Sequence, residues 1–175
     1  MQGIQIYKKL AWLNELPVDE AEYVFRDCCG SREWVRLMAA SRPFAMIENL
    51  FSSADEIWTK LSTADHLEAF AAHPKIGSKK PVPIQQFRAA SWSAGEQAGM
   101  DGSESVVRDR LAEANGLYEA KFGFIFIVCA TGKSAAEMLA ICQSRLGNSL
   151  ETELKIAAEE QRKITGIRLG KLLER

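Results

Sequence analysis

Only two histidines occur in the 175 residues, and one of them, His73, opens the pentapeptide His73-Pro74-Lys75-Ile76-Gly77. Imidazole is the side chain whose unperturbed proton affinity lies nearest neutral pH, so it can take and return a proton under physiological conditions. Pro74 lacks a backbone N–H and pushes the residue before it toward extended geometry. That ends the helix leading into His73 and holds the ring on a rigid corner. Downstream stand Ser93, Glu96 and Gln97, a hydroxyl, a carboxylate and an amide within five residues. The combination suits general acid/base chemistry on a small polar molecule. Each residue alone has a structural reading: a histidine before proline ends a helix, Ser93 and Glu96 have capping-box spacing, and Arg168 can be a solvated charge on a terminal helix. Their joint occurrence in a fixed order is what favours a site.

Metal chemistry is not expected. His66 and His73 are seven residues apart with no cysteine nearby, and adjacent Cys28 and Cys29 lack Cys-x-x-Cys spacing. No cofactor is assigned, and Cys28, Cys29, Cys129 and Cys142 are expected as buried free thiols. Thr131-Gly132-Lys133-Ser134 ends like a phosphate-binding loop, but Ile127 occupies the position where that loop needs its first glycine. A turn followed by a Ser134/Glu137 capping box is the reading that remains.

Whole-chain composition narrows the class. With 47% hydrophobic and 26% charged residues, the chain can bury one sizeable core, and a single domain over 1–175 is expected. Lys and Arg total 22 against 23 acidic residues. The balance supplies no global field for nucleic acid or an anionic membrane. The N-terminal residues lack the apolar core of a signal peptide and no stretch has the length of a membrane span, so a cytoplasmic location is expected.

The elements that must hold these residues read as helices. Ser31 can cap a helix carrying Trp34, Leu37 and Met38 that Pro43 ends, with Gly30 closing the helix before it. Ser53-Ala54-Asp55-Glu56 has capping-box form ahead of Ile57, Trp58 and Leu61. Residues 62–72 carry Leu67, Phe70 and Ala71 as an apolar stripe leading into His73. Lys75 to Arg88 has loop composition. Helices follow over 103–122, with Gly123 placed to end the first, then 134–146 and 149–173, the last carrying Leu150, Leu154, Ala157, Ala158, Ile164 and Ile167. The expected class is all-α, a single-domain bundle of about seven to nine helices.

One segment breaks the pattern. Residues 124–130, Phe-Ile-Phe-Ile-Val-Cys-Ala, are apolar and β-branched, yet no second run offers them a sheet partner. Composition leaves two readings: an extended buried stretch whose amides need partners, some of which a polar ligand can supply, or a buried turn of helix satisfied by itself.

The chain resembles the cofactor-free decarboxylase family that acts on 2-oxo-4-hydroxy-4-carboxy-5-ureidoimidazoline, the last step from urate to (S)-allantoin. The likeness runs through Phe25, Cys29-Gly30-Ser31, Trp34, Arg42-Pro43-Phe44, His73 to Gly77 and Ser93 to Gln97. It continues through Asn115, Tyr118, Lys121 to Phe124, Phe126 to Ala130, Arg145-Leu146, Asn148, Glu153-Leu154, Lys163-Ile164 and Arg168-Leu169. Lys75 stands where arginine is common in that family, and the loop between His73 and Ser93 is longer; both bear on the rim of the pocket.

The resemblance implies an all-α fold and a homodimer, for whose interface Trp12, Trp34, Trp58 and Trp92 offer aromatic area. It also implies His73, Glu96 and Arg168 as catalytic residues, with substrate contacts from Pro74, Ser93, Gln97 and the backbone of Phe126, Ile127, Val128, Cys129 and Ala130. In that chemistry His73 moves the proton, Glu96 orients the imidazole or takes the hydroxyl proton, and Arg168, always charged, holds substrate oxygens. Two alternatives share the same core: a non-catalytic helical module that binds ureides, and a related cofactor-free lyase or isomerase with other acceptor groups.

Overall fold

A computed structural model describes residues 2–75, 92 and 105–174, with side chains from residue 5. Among these residues there are eight helices and no strand: α1 (Gln2–Glu15), α2 (Val18–Arg26), α3 (Arg32–Ala40), α4 (Ile47–Lys60), α5 (Thr63–Ala71), α6 (Ser105–Phe122), α7 (Ala135–Arg145) and α8 (Leu150–Glu174). The all-α expectation holds. The chain divides into two compact units, Met1–Ala69 with Arg162–Arg175, and Phe70–Gln161.

In the first unit α2 packs on α3 and α3 on α4. Phe25 and Trp34 meet edge to face with centroids 6.0 Å apart, and the buried indole donates to Ala54 O at 3.2 Å. A buried Trp thus gives its apolar body to the core and still pairs its N–H. Ser31 caps α3, accepting from Trp34 N at 3.2 Å, as its type and position predict. Arg42 closes the C-terminal end of α1, donating to Leu13 O and Leu16 O at 2.7 Å each. Orphan carbonyls at a helix end need such donors.

Four local expectations are corrected. Ser53 to Glu56 lies inside α4, which begins at Ile47 with Asn49 Oδ1 accepting from Met46 N at 3.0 Å. A serine is tolerated within a helix because its hydroxyl can bond back to a preceding carbonyl, as Ser52 does to Asn49 O. Gly30 does not close α2, which ends at Asp27 with its N–H on Val24 O; positive φ is found instead at Gly123 and Gly132. The buried face of α5 is rotated from the expected stripe: Ala69 and Phe70 are buried while Leu67 and Ala71 are exposed. Trp34, Trp58 and Trp92 are core residues, so of the four tryptophans only Trp12 offers exposed area.

In the second unit α6 packs on α7, burying Leu111, Ala114, Tyr118 and Phe122 along one stripe. Gly123 ends α6 at φ 77°, a conformation glycine adopts without steric cost. Ser134 and Glu137 form the expected capping box on α7. Segment 124–130 is neither helix nor strand, and all its residues except Ile125 are buried. The self-satisfied turn of helix is thereby excluded, and the extended reading stands.

Candidate active site

The extended segment is held by side chains. Arg145 donates to Ile127 O at 2.7 Å, Lys133 Nζ to Cys129 O at 2.7 Å, and Cys129 N–H to Glu160 Oε2 at 2.7 Å. Protein groups from α7, the 131–134 turn and α8 therefore meet backbone polarity that the sequence left to a ligand. A buried amide without a partner costs about twice what a paired one contributes.

Arg145 is itself buried, and its partner Glu153 is fully so. Arg145 Nε donates to Glu153 Oε1 at 2.6 Å, Tyr118 Oη–H donates to the same carboxylate, and Asn148 Nδ2 donates to Glu153 Oε2 at 2.7 Å. Arg145 also lies over the Phe126 ring, 4.8 Å from its centroid. Burial, with the Glu153 hydrogen bond second, pushes the Tyr118 hydroxyl above its ordinary range, keeping it a neutral donor. These contacts make a charged scaffold under the segment rather than a reactive group within it.

His73 lies just past the end of α5, half-buried, with its N–H on Phe70 O at 3.1 Å. Its Nε2 stands 2.6 Å from Gln161 Oε1, and Gln161 is fully buried. Glu160, which holds Cys129, and Gln161, which holds His73, are consecutive on α8. Two adjacent residues thus tie the imidazole and the extended backbone to one turn of helix. Pro74 is half-buried, and Lys75 pairs with Glu119 at 2.5 Å on the surface. His66, in the first unit, is a structural histidine: its Nε2–H donates to Trp58 O at 3.0 Å and the two rings lie 4.3 Å apart.

Of the expected site residues, His73, Pro74 and Phe126 to Ala130 fall together in the second unit. Arg168 belongs to the first unit, where it is 4% exposed and its charge draws on the Cys28 and Cys29 thiols. Burial dominates those thiols and raises both, Cys29 to about 11. All four cysteines are free and buried, as expected. Ser93, Glu96 and Gln97 lie outside the described residues. Among the described residues no group of three His, Cys, Asp or Glu side chains has metal-holding geometry, and no helix is long and apolar enough to cross a membrane.

Sequence reasoning missed Glu160 and Gln161. The signal was present in α8, where buried Glu153, Ala157, Gln161, Ile164 and Arg168 recur at helical spacing. Reading only apolar residues for the helix face selects Leu150, which is exposed, and passes over Gln161, although Arg168 and Glu153 on the same face are named in the resemblance.

Against known proteins, a family model described as OHCU decarboxylase matches residues 14–170. The uric acid degradation bifunctional protein TTL of Arabidopsis thaliana is 40% identical over 158 residues, covering 90% of this chain. The chain spans 48% of that relative's length. A 2-oxo-4-hydroxy-4-carboxy-5-ureidoimidazoline decarboxylase of Amia calva is 29% identical over 77% of each chain. A crystal structure of OHCU decarboxylase in the presence of (S)-allantoin superposes with a TM-score of 0.74 at 38% identity, covering 86% of this chain and 97% of that one.

Proposed function

Since this chain belongs to the OHCU decarboxylase family, we propose that it decarboxylates 2-oxo-4-hydroxy-4-carboxy-5-ureidoimidazoline to (S)-allantoin without a cofactor, with His73 as its acid/base. The observation that carries the reading is the pair of adjacent anchors on α8, Gln161 on the imidazole and Glu160 on the Cys129 amide. They fix the proton-transfer group and a stretch of recognition backbone against the same helical turn. Fixed relative placement is what an enzyme needs to make proton delivery part of the reaction coordinate.

The substrate supplies its own electron sink. Its carboxylate and a hydroxyl share one ring carbon, and the neighbouring ring carbon is an imine. When the C–C bond to the carboxylate breaks, CO2 leaves and the bonding pair moves toward the imine. The imine nitrogen takes up a proton as it receives the displaced pair; the resulting enol-like ring then gains a proton on one face at the former imine carbon while the hydroxyl loses its own to become the amide carbonyl, so one proton is consumed for each CO2 released. His73 carries that proton traffic, an effect typically worth about 10² to 10⁴ in rate. Glu96 orients the ring or takes the hydroxyl proton. Arg168 holds substrate oxygens through its planar fork and balances developing negative charge. Pro74 shapes the wall beside the imidazole. Ser93, Gln97 and the main chain of Phe126, Ile127, Val128, Cys129 and Ala130 recognise the ureido and ring amides, the carbonyls that Arg145 and Lys133 already meet doing so through their second lone pair.

The chain acts as one domain, supported by a single family match that runs through both compact units. Four buried free thiols support a reducing, cytoplasmic setting. It works as a homodimer, so light scattering gives about twice the 19.4 kDa chain mass. The test of the function is turnover: substrate generated in situ from urate by the two preceding enzymatic steps is followed by circular dichroism. Accelerated appearance of one allantoin enantiomer supports the reading. Binding of ureides with no acceleration points instead to a helical binding module.

A further inference from the structure

We propose that Gln161 is the positioning residue of His73: its side-chain carbonyl accepts the imidazole Nε2–H, so that Nδ1 is the nitrogen that exchanges protons with substrate. The functional half of this inference rests on the decarboxylase reading above, and the structural half on geometry alone. The contact is 2.6 Å, Gln161 is fully buried, and it projects from the middle of the long helix α8, far from either end. A side chain locked by packing on a helix holds its partner more closely than one on a loop.

The chemical identity of the partner matters as much as its position. Next to Gln161 stands Glu160, whose carboxylate is committed to the Cys129 N–H. The helix thus gives the carboxylate to a backbone amide and the neutral amide to the imidazole. A carboxylate against His73 would favour imidazolium by charge attraction. A glutamine carbonyl orders the ring through its Nε2–H without itself bringing a formal charge, and with Nε2 so held and Nδ1 turned to substrate the role left to Glu96 is to take the hydroxyl proton. Proton uptake and proton return in one cycle need a ring that can do both.

Neutral imidazole carries one N–H, so its tautomer is the discriminating observable. The opposite orientation of the Gln161 amide would donate to Nε2 and put the proton on Nδ1. The test is a long-range ¹H–¹⁵N spectrum of the 175-residue chain at mildly alkaline pH. Having only two histidines makes the spectrum readable, and His66, bonded through Nε2–H to Trp58 O, serves as internal reference. In the wild type both rings show the Nε2–H pattern, with an imidazole proton on His73 protected from exchange. Gln161→Met keeps the side-chain length and removes the acceptor. His73 then loses its protected proton while His66 keeps its own, and kcat falls at least about tenfold with KM changed less than about threefold. Gln161→Glu keeps an acceptor and retains the protected Nε2–H.

An Nδ1–H ring at His73 in the wild type overturns the inference, and this arm needs no variant to fold. So does an unchanged His73 spectrum in folded Gln161→Met, or an effect confined to KM. A wild-type chain with the expected spectrum and no turnover would contradict the decarboxylase reading while upholding the hydrogen bond, so the two failures are distinguishable.

Discussion

Glu160 Oε2 accepts the backbone N–H of Cys129 at 2.7 Å, so a carboxylate on α8 holds the middle of a segment that belongs to no helix or strand. Removing it takes a charged acceptor away from that backbone donor. Glu160→Met should cost about 1–3 kcal/mol in denaturant unfolding, whereas Glu160→Gln, which keeps a carbonyl acceptor, should cost clearly less. Equal stability in both variants would show that the segment is held elsewhere.

The buried pair of Arg145 and Glu153 makes a second stability prediction. Arg145→Met leaves the Glu153 carboxylate uncompensated inside the protein, a change worth about 3–5 kcal/mol. The double variant Arg145→Met/Glu153→Leu removes both charges and should recover a large part of that loss. A double variant no more stable than the single one would indicate that the lost hydrogen bonds to Ile127 O and Tyr118, rather than the stranded charge, set the cost.

Alkaline pH should weaken the fold. Burial raises the Cys29 and Cys142 thiols to about 11 and pushes Cys28 and Tyr118 up as well. Unfolded thiols ionise near about 8.5, so between about pH 9 and 11 the folded state binds more protons than the unfolded one. Stability is therefore full below that window and falls as pH rises through it. Urea midpoints at pH 8 and pH 10 measure the effect, and thiol-reactive reagent at pH 8 should label the native chain slowly. Rapid native labelling at pH 8 would contradict the assigned burial.

Arg168 separates charge from geometry. If its planar fork holds two substrate oxygens, Arg168→Lys should lose at least about tenfold in kcat/KM, about 1.4 kcal/mol of transition-state stabilisation. Its 4% exposure beside Cys28 and Cys29 requires that thermal stability be read in the same variants. Wild-type efficiency in the lysine variant would exclude the fork, and wild-type efficiency in Arg168→Met would remove the residue from the reaction.

Local signals in the sequence placed most helices because they are local physics. Ser31, Ser134 with Glu137, and Gly123 each act within a turn of their own position. Residues 124–130 were legible as an exception because their composition contradicted everything around them. What could not be read was long-range. Glu160 and Gln161 sit 31 and 88 residues from the groups they hold, and no local pattern reports such a distance. Leu67 and Leu150 show the opposite limit: hydrophobic type does not by itself mark the inner face, and both are exposed, while Glu153 and Gln161 are buried because each finds partners inside.

If His73 moves the proton during stereospecific decarboxylation, removing its imidazole must abolish enantioselective turnover without unfolding the chain. Wild type and His73→Gln are compared by circular dichroism on substrate made in situ from urate, with far-ultraviolet spectra confirming that the helices persist. The wild type should form one allantoin enantiomer rapidly, and folded His73→Gln should leave slow decay to nearly racemic product. Near-native stereospecific turnover in that folded variant would contradict that role for His73.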